Sequence, residues 1–297
     1  MHRLLVILVP CALFAQTVPA NYEDAYNLAL TYLEAGATEK SRQVIRALLQ
    51  RQDKAELHNL LGEVEEREGH VQQSAAQYET AARMDPSEQN LFDLANELLL
   101  HRGFQPALKV LDFATQKCPR SARLHVALGV AHYSLGQYDQ AIDALCQAVD
   151  LNPKDTRALD FLGKMYDVAP DKAGEVTQRL ARFAQEYPDN AAANYYYALS
   201  LRRRTTQGAS AGAEREAERL LRKAATLNPS WADAHYQLGL LYEDESQTGG
   251  AIREYRITVR LQPDFAKAHY RLARLYEKQG DRQLAQAEIR AFEALKK

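Results

Sequence analysis

ARLHVALGVAHYSLGQYDQAIDALCQAVDLNPKD, residues 122–155, contains the pattern that decides the fold. From Leu124 to Ala131, apolar residues recur at the three- and four-residue spacing of one helix face. Gly136 then predicts a left-handed turn, and a second apolar stripe follows from Tyr138 to Ala148. Pro153 closes the stretch, because the residue before a proline is disfavoured in the helical conformation. The stretch therefore predicts two helices joined by a tight turn.

The same pattern recurs along the chain with a period of about 34 residues. Small residues occupy the middle of each first helix; they are Ala29, Gly62, Ala95, Gly129, Gly163, Ala198, Gly239 and Ala273. Prolines close most copies; they are Pro86, Pro119, Pro153, Pro188, Pro229 and Pro263. This recurrence resembles the tetratricopeptide repeat (TPR) family, in which each unit is a helix–turn–helix.

The resemblance implies an all-α, right-handed α-solenoid of about eight helix pairs over residues 21–297. Each pair buries its apolar face on its neighbours, so no single large core is needed. The predicted repeats are, approximately, 22–54, 55–87, 88–121, 122–155, 156–190, 191–231, 232–265 and 266–297.

Residues 1–20 predict a signal peptide ahead of the repeats. His2 and Arg3 give a short basic start, and an apolar run too short to span a bilayer comfortably follows. Val18, Pro19 and Ala20 are compatible with a small-residue cleavage site. We expect an exported protein, periplasmic or secreted, with no membrane span in the mature chain. The alternative is an uncleaved signal anchor that tethers the protein to the membrane.

The sixth predicted repeat contains an insertion at residues 205–214, TTQGASAGAE. One interpretation is a tolerated surface loop or two lengthened helices, and the other is a hinge or a loop that contacts a partner. We favour the first interpretation, because longer loops cost little conformational entropy.

The sequence predicts neither catalysis nor a cofactor. It lacks G-x-S-x-G, H-E-x-x-H, a phosphate-binding glycine loop and C-x-x-C. Histidines recur at the fourth position of four repeats, which predicts packing at separate places rather than a metal site; they are His58, His125, His235 and His269. A formal net charge of −2 argues against a nucleic-acid binder. Cys118 and Cys146 are predicted to remain unbridged.

In TPR proteins the first helices line a concave face, which implies a peptide-binding groove here. The predicted groove residues are Glu56, Asn59, Glu63, Phe92, Asn96, Tyr133, Arg157, Lys164, Tyr195, Arg202, Tyr236, Lys267, Tyr270, Arg271 and Arg274. The aromatic rings in this set are expected to anchor a peptide. The first two repeats carry more acidic than basic residues and the eighth the reverse, so charge would orient the bound segment.

Some TPR co-chaperones bind a terminal carboxylate with a Lys-Asn, Asn, Lys-Arg set. Lys267 and Arg271 match its last pair, Gln237 approximates its middle Asn, and Tyr195 and Leu199 replace its first pair. The clamp is therefore incomplete, and we do not expect this mode of binding.

The predicted function is a non-catalytic scaffold or adaptor of the cell envelope that binds other proteins or peptide segments in the groove. One alternative is an accessory subunit of an envelope enzyme or of an export or assembly complex. Another is a homo-oligomer formed through the last repeat, which no separate polar capping helix follows.

Overall fold

The computed structural model describes residues 18–205 and 211–296, and every regular element within them is helical. The α-helices are α1 (Tyr22–Glu34), α2 (Thr38–Leu49), α3 (Ala55–Arg67), α4 (Val71–Met84), α5 (Glu88–Leu100), α6 (Phe104–Lys117), α7 (Ala122–Ser134), α8 (Tyr138–Leu151), α9 (Arg157–Val168), α10 (Ala173–Glu186), α11 (Ala191–Thr205), α12 (Ala211–Leu227), α13 (Ala232–Asp244), α14 (Thr248–Leu261), α15 (Ala266–Gln279) and α16 (Arg282–Ala294). A 3₁₀ turn, Pro170–Lys172, replaces the tight turn between α9 and α10.

The chain divides into two compact units, which meet in sequence between Ala114 and Thr115. In unit 1, α1 pairs with α2 and α3 with α4, while α2 packs on α3 and α4 on α5. Ten buried apolar residues of α1, α2 and α3 form one core cluster, which includes Ala29, Ile45 and Leu57. The core therefore runs from one helix pair into the next, as repeat packing requires.

Unit 2 contains the helix pairs α7/α8, α9/α10, α11/α12, α13/α14 and α15/α16. Each pair is antiparallel; in α13/α14, for example, Thr258 lies near Ala232 and Gly250 near Tyr242. Two core clusters fill this unit, and Trp231 packs against both of them.

The turns between paired helices use left-handed residues. Gly36, Gly69, Gly136 and Gly280 have φ between 70° and 83°, which confirms the turn predicted at Gly136. Arg102 and Ser246 adopt a similar φ in their own repeats without the advantage of glycine.

The small residue of the first helix lets the paired helix approach closely. A Cβ atom added to Gly239 would lie 2.4 Å from the ring of Tyr255, and one added to Gly62 would lie 2.8 Å from Tyr78. The size of the small residue matches the side chain sixteen positions later, on the second helix. Glycine is followed at that spacing by the larger tyrosine in these two repeats, whereas Ala29 and Ala273 are followed by isoleucine.

Half of the sixth-repeat insertion, residue 205 and residues 211–214, lies in the helices α11 and α12. Helix α11 extends to Thr205 and α12 begins at Ala211, so that α12 has 17 residues where α14 has 14. Residues 206–210 lie outside the described residues, as do residues 1–17 of the predicted signal peptide. Cys118 and Cys146 are free, and burial raises the pKa of the Cys146 thiol to about 12.

We expect Gly239→Ala to destabilise the fold despite the better helix propensity of alanine. The new methyl group overlaps the buried Tyr255 ring, and overpacking of about 1–3 kcal/mol outweighs a propensity gain of about 1 kcal/mol. Denaturant unfolding of the full chain measures the difference. Gly249→Ala on α14 is the matched control, because its methyl group would meet open space. A Gly239→Ala protein as stable as the Gly249→Ala protein would contradict this packing argument.

Candidate functional site

In unit 1, the predicted groove residues pair with neighbouring first helices at the repeat spacing. The Tyr22 hydroxyl donates to Glu56 over 2.5 Å, and the Asn59 amide donates to Asp93 over 2.8 Å. Glu63 accepts from Arg67 at 2.6 Å. Burial and the nearby Glu56 and Glu63 raise the pKa of the Tyr26 hydroxyl. This face of α1, α3 and α5 is therefore acidic and largely hydrogen-bonded within the unit, with Phe92 and Asn96 half-buried on α5.

In unit 2, three clefts lie along the first helices. One of about 550 Å³ lies beside Arg157, Asp160 and Trp231, and one of about 600 Å³ lies beside Arg202 and Gln237. The third, also of about 600 Å³, includes Glu243, Arg274 and Lys278 among its lining residues. The structure thus brings predicted groove residues to open clefts at Arg157, Arg202 and Arg274.

Charged side chains at these clefts are held in defined positions. Arg202 donates to the Gln237 side chain at 3.1 Å and to Asp244 at 2.6 Å. Lys164 lies 2.7 Å from Asp160 and 4.7 Å from the centre of the Phe161 ring. The side chains of Arg202 and Lys164 are thus already held in place before any partner binds. Such preorganisation lowers the entropy cost of binding.

Arg157 and Tyr133 line the same part of unit 2. Arg157 pairs with Asp155 at 2.6 Å, and the hydrogen bond from Arg157 holds the pKa of the Asp155 carboxyl below its usual range. Tyr133 packs edge-on against Phe161, with ring centres 5.8 Å apart.

The structure corrects the expectation that the recurrent tyrosines form open anchors. Tyr195 and Tyr236 are only 6% and 8% exposed. Tyr195 packs on Trp231 at 4.4 Å between ring centres, and Tyr236 packs on Phe265 at 4.8 Å. In each case the second ring belongs to the residue just before the next first helix, so these tyrosines lie at the contact between neighbouring repeats.

Tyr270 holds the same position in the eighth predicted repeat but is not buried. Its side chain is 46% exposed and contacts Phe292 at 5.4 Å between ring centres. Lys267 and Arg274 are exposed on the same helix, and Arg271 pairs with Glu243 at 3.2 Å. Among the recurrent tyrosines of unit 2, the structure therefore leaves Tyr270 accessible to a partner.

Sequence reasoning missed Trp231 and Phe161 as cleft residues. Trp231 lies two residues after Pro229, and Phe265 lies two residues after Pro263. An aromatic residue at this spacing after the closing proline was therefore a pattern that the sequence shows. Phe161 carried no repeat signal, because the copy that contains it is irregular around Pro170.

The four recurrent histidines each contact groups near their own position in the chain. His235 contacts Glu254 through Nδ1 at 2.9 Å and the Pro229 carbonyl through Nε2 at 3.2 Å. His269 makes the equivalent contacts with Glu288 and Pro263. The imidazoles of His235 and His269 therefore link the closing turn of one repeat to the second helix of the next.

Glu65, Glu68 and His70 bring three potential metal-ligand atoms within 4.8 Å of one another in unit 1. The side chain of Arg42 lies among these acids, 3.1 Å from Glu65 and in contact with Glu68. The hydrogen bond from Arg42 lowers the pKa of the Glu68 carboxyl. A guanidinium thus already supplies the positive charge, and the cluster acts as a polar connection between α2 and α3.

Stacked helix pairs with clefts along their first helices define a repeat protein of the interaction type. A family model described as tetratricopeptide repeat matches residues 12–88, 92–156 and 236–296, so the chain belongs to the tetratricopeptide repeat family. Proteins of this family are generally non-catalytic protein-interaction scaffolds. None of the described helices has the length and apolar character that a membrane crossing requires.

Solved structures share this fold. PilF of Pseudomonas aeruginosa is 20% identical, with a TM-score of 0.52 over 69% of this chain and 89% of that chain. PilW, a type IV pilus biogenesis factor, is 16% identical, with a TM-score of 0.51 over 70% and 92%. A MamA structure is 25% identical, with a TM-score of 0.46 over 57% and 94%. A search of curated proteins finds no match.

We expect Tyr236→Ala and Tyr270→Ala to differ strongly in stability. Removal of the buried Tyr236 ring should cost about 3–5 kcal/mol, whereas removal of the exposed Tyr270 ring should cost less than about 1 kcal/mol. Urea unfolding of both variants, with Tyr236→Phe as the control that keeps the ring, measures this difference. Equal losses from both alanine variants would show that the ring contacts between repeats are not what stabilises this position.

The His235–Glu254 pair should make stability depend on pH. Its hydrogen bond to Glu254 raises the pKa of His235 above 6.5, so its contribution is complete below that pH and is lost as pH rises through the raised pKa. Burial alone would raise the pKa of Glu254, but hydrogen bonds from His235 and Arg253 lower it below 4.5. The contribution of Glu254 is therefore lost only as pH falls through that lowered value. The pair is fully effective between about pH 4.5 and 6.5.

Glu254→Gln should therefore cost about 2 kcal/mol at pH 5.5 and less at pH 8.5. Urea unfolding at the two pH values tests this, with the exposed Glu293→Gln as control. A cost that stays the same at both pH values would count against the ion pair.

Proposed function

We propose that this protein is a non-catalytic scaffold or adaptor of the cell envelope that holds segments of other proteins along its first helices. The observation that carries the proposal is the row of clefts beside Arg157, Arg202 and Arg274, all on first helices of unit 2. Each cleft combines fixed charges with apolar or aromatic surface, and such mixed sites give a bound chain both affinity and register.

The proposal includes a right-handed α-solenoid divided into the eight repeats given above. It also includes export from the cell through residues 1–20, for which the support is the basic start, the apolar run and the small residues before Asn21. The groove of unit 1 is proposed from the acidic row Glu56, Glu63 and Asp93, and that of unit 2 from the clefts.

In unit 2, exposed residues contact the partner in place of the buried Tyr195 and Tyr236. Tyr270, Lys267 and Arg274 form an accessible aromatic and basic group on α15, and Arg157 and Lys164 form a second basic group on α9. An extended partner with acidic side chains fits the α15 group best, because Lys267 and Arg274 are exposed, whereas Arg157 and Lys164 are each paired with an aspartate.

Site-specific photocrosslinking in the source cells tests the proposal. A photoreactive amino acid in place of Arg274 should capture a discrete partner from the envelope fraction, because that position lies in a first-helix cleft. The same amino acid in place of Arg260, exposed on the second helix α14, is the matched control. We also expect Arg157→Ala combined with Arg274→Ala to weaken capture at least about tenfold, which corresponds to about 1.4 kcal/mol.

Equal capture from positions 260 and 274, or an undiminished yield from the double variant, would refute binding along the first helices. Capture only from a cytoplasmic fraction would leave the binding face intact but refute the envelope assignment. The accessory-subunit alternative predicts that the captured partner is an enzyme or exporter component that co-purifies in fixed stoichiometry.

A further inference from the structure

The histidine at the fourth position of a repeat is usually matched by a polar residue on the second helix. The partner stands nineteen residues later: Gln77 for His58 at 2.7 Å, Glu254 for His235 at 2.9 Å and Glu288 for His269 at 2.6 Å. In all three cases the partner atom is a side-chain oxygen that contacts Nδ1.

His125 is the exception. Its Nε2 contacts the Pro119 carbonyl at 3.1 Å, as in the related repeats, but nineteen residues later the chain has Ala144. The ring is only 5% exposed, and its Nδ1 is buried without a hydrogen-bond partner. A buried ring nitrogen without a partner costs free energy, which a ligand group of the right kind can recover.

The place of the missing side chain is open space. A cleft of about 350 Å³ is lined by both His125 and Ala144. Its wall also contains Gln116, Gln140 and Gln147, three exposed residues whose amides can donate hydrogen bonds. Because Nδ1 itself has almost no exposed surface, an entering group has to displace neighbouring atoms to reach it.

The charged residue around the cleft does not prevent an acidic group from binding there. Asp143 on α8 is the charged residue in its described lining, and the Asp143 carboxylate is already bonded to Arg179 at 3.0 Å. The end of α6 contributes the neutral residues Thr115 and Gln116. Asp143 is therefore engaged outside the cleft, and it does not take the place of the missing partner of His125.

We propose that this cleft binds a carboxylate group, which supplies to His125 the acid that Glu254 and Glu288 supply within their own repeats. The carboxylate would accept a hydrogen bond from Nδ1–H of the protonated imidazole and further bonds from the glutamine amides. Charge-assisted bonds of this kind are about twice as strong as neutral ones. The site shares no residue with the predicted groove or with the incomplete clamp, so it does not depend on the proposed function.

Binding should strengthen as the pH falls, because a carboxylate pairs only with a charged imidazole. The groups that face His125 are Thr115 and Gln116 from α6 and Gln140, Asp143 and Gln147 from α8. Of these, only Asp143 ionises, and its carboxylate is held by Arg179.

Side-chain NMR of the full chain with ¹⁵N-labelled histidine tests the proposal. The probes are N-acetylglutamate amide as a side-chain mimic, N-acetylalanine as a chain-terminus mimic and N-acetylglutamine amide as the neutral control. We expect saturable shifts of the His125 signals with the acidic probes, and none with the neutral one. The signals of His235 should stay constant, because Glu254 already occupies its Nδ1. The tighter-binding acidic probe identifies the source of the carboxylate.

Ala144→Glu should place an internal acid on His125 and weaken probe binding at least about tenfold, or about 1.4 kcal/mol. Ala144→Gln, which copies the Gln77 of the second repeat, serves if the glutamate variant does not fold. The proposal is overturned if His125 gives no saturable shift at about 50 mM probe, where millimolar binding would be evident. It is also overturned if His125 and His235 shift equally, or if the Ala144 variants bind the probes as the wild type does.

Discussion

The close contact between the two helices of each pair is the constraint on which the rest of the structure depends. Where glycine occupies the middle of a first helix, a whole tyrosine or leucine side chain lies across it, as with Gly239 and Tyr255 or Gly129 and Leu145. The pairs then present regular faces to their neighbours, and the cores of unit 1 and unit 2 run from pair to pair. The clefts and histidine contacts follow from this spacing, because each repeat offers the same positions to the next.

Much of the fold could be predicted because its signals are periodic. Three signals recur along the chain: turn glycines such as Gly136, small residues in the first helices, and prolines at the closing turns. A wrong assignment in one repeat is therefore corrected by the other repeats. Single departures were less visible: Arg102 and Ser246 take the left-handed turn without a glycine, and Pro170 begins a 3₁₀ turn. These depend on tertiary context that one repeat does not reveal.

The candidate site was harder to predict, because exposure depends on what the following repeat supplies. A tyrosine at a fixed position is an open anchor only if nothing covers it, and Trp231 and Phe265 cover Tyr195 and Tyr236. The burial of both tyrosines therefore depends on contacts between residues that lie 36 and 29 positions apart in the chain. The arginine-lined clefts had the same origin, since Arg202 acquires its partners Gln237 and Asp244 only when two first helices lie side by side.

Trp231 is the chain's single tryptophan, and it packs against both core clusters of unit 2. Its indole therefore lies, together with Tyr196 and Tyr197, where the two clusters meet. Fluorescence from this one residue reports the integrity of that boundary without any added label. If the array opens stepwise from its ends, the emission should remain native-like while peripheral helices are already lost; if it opens as one body, emission and helicity should change together.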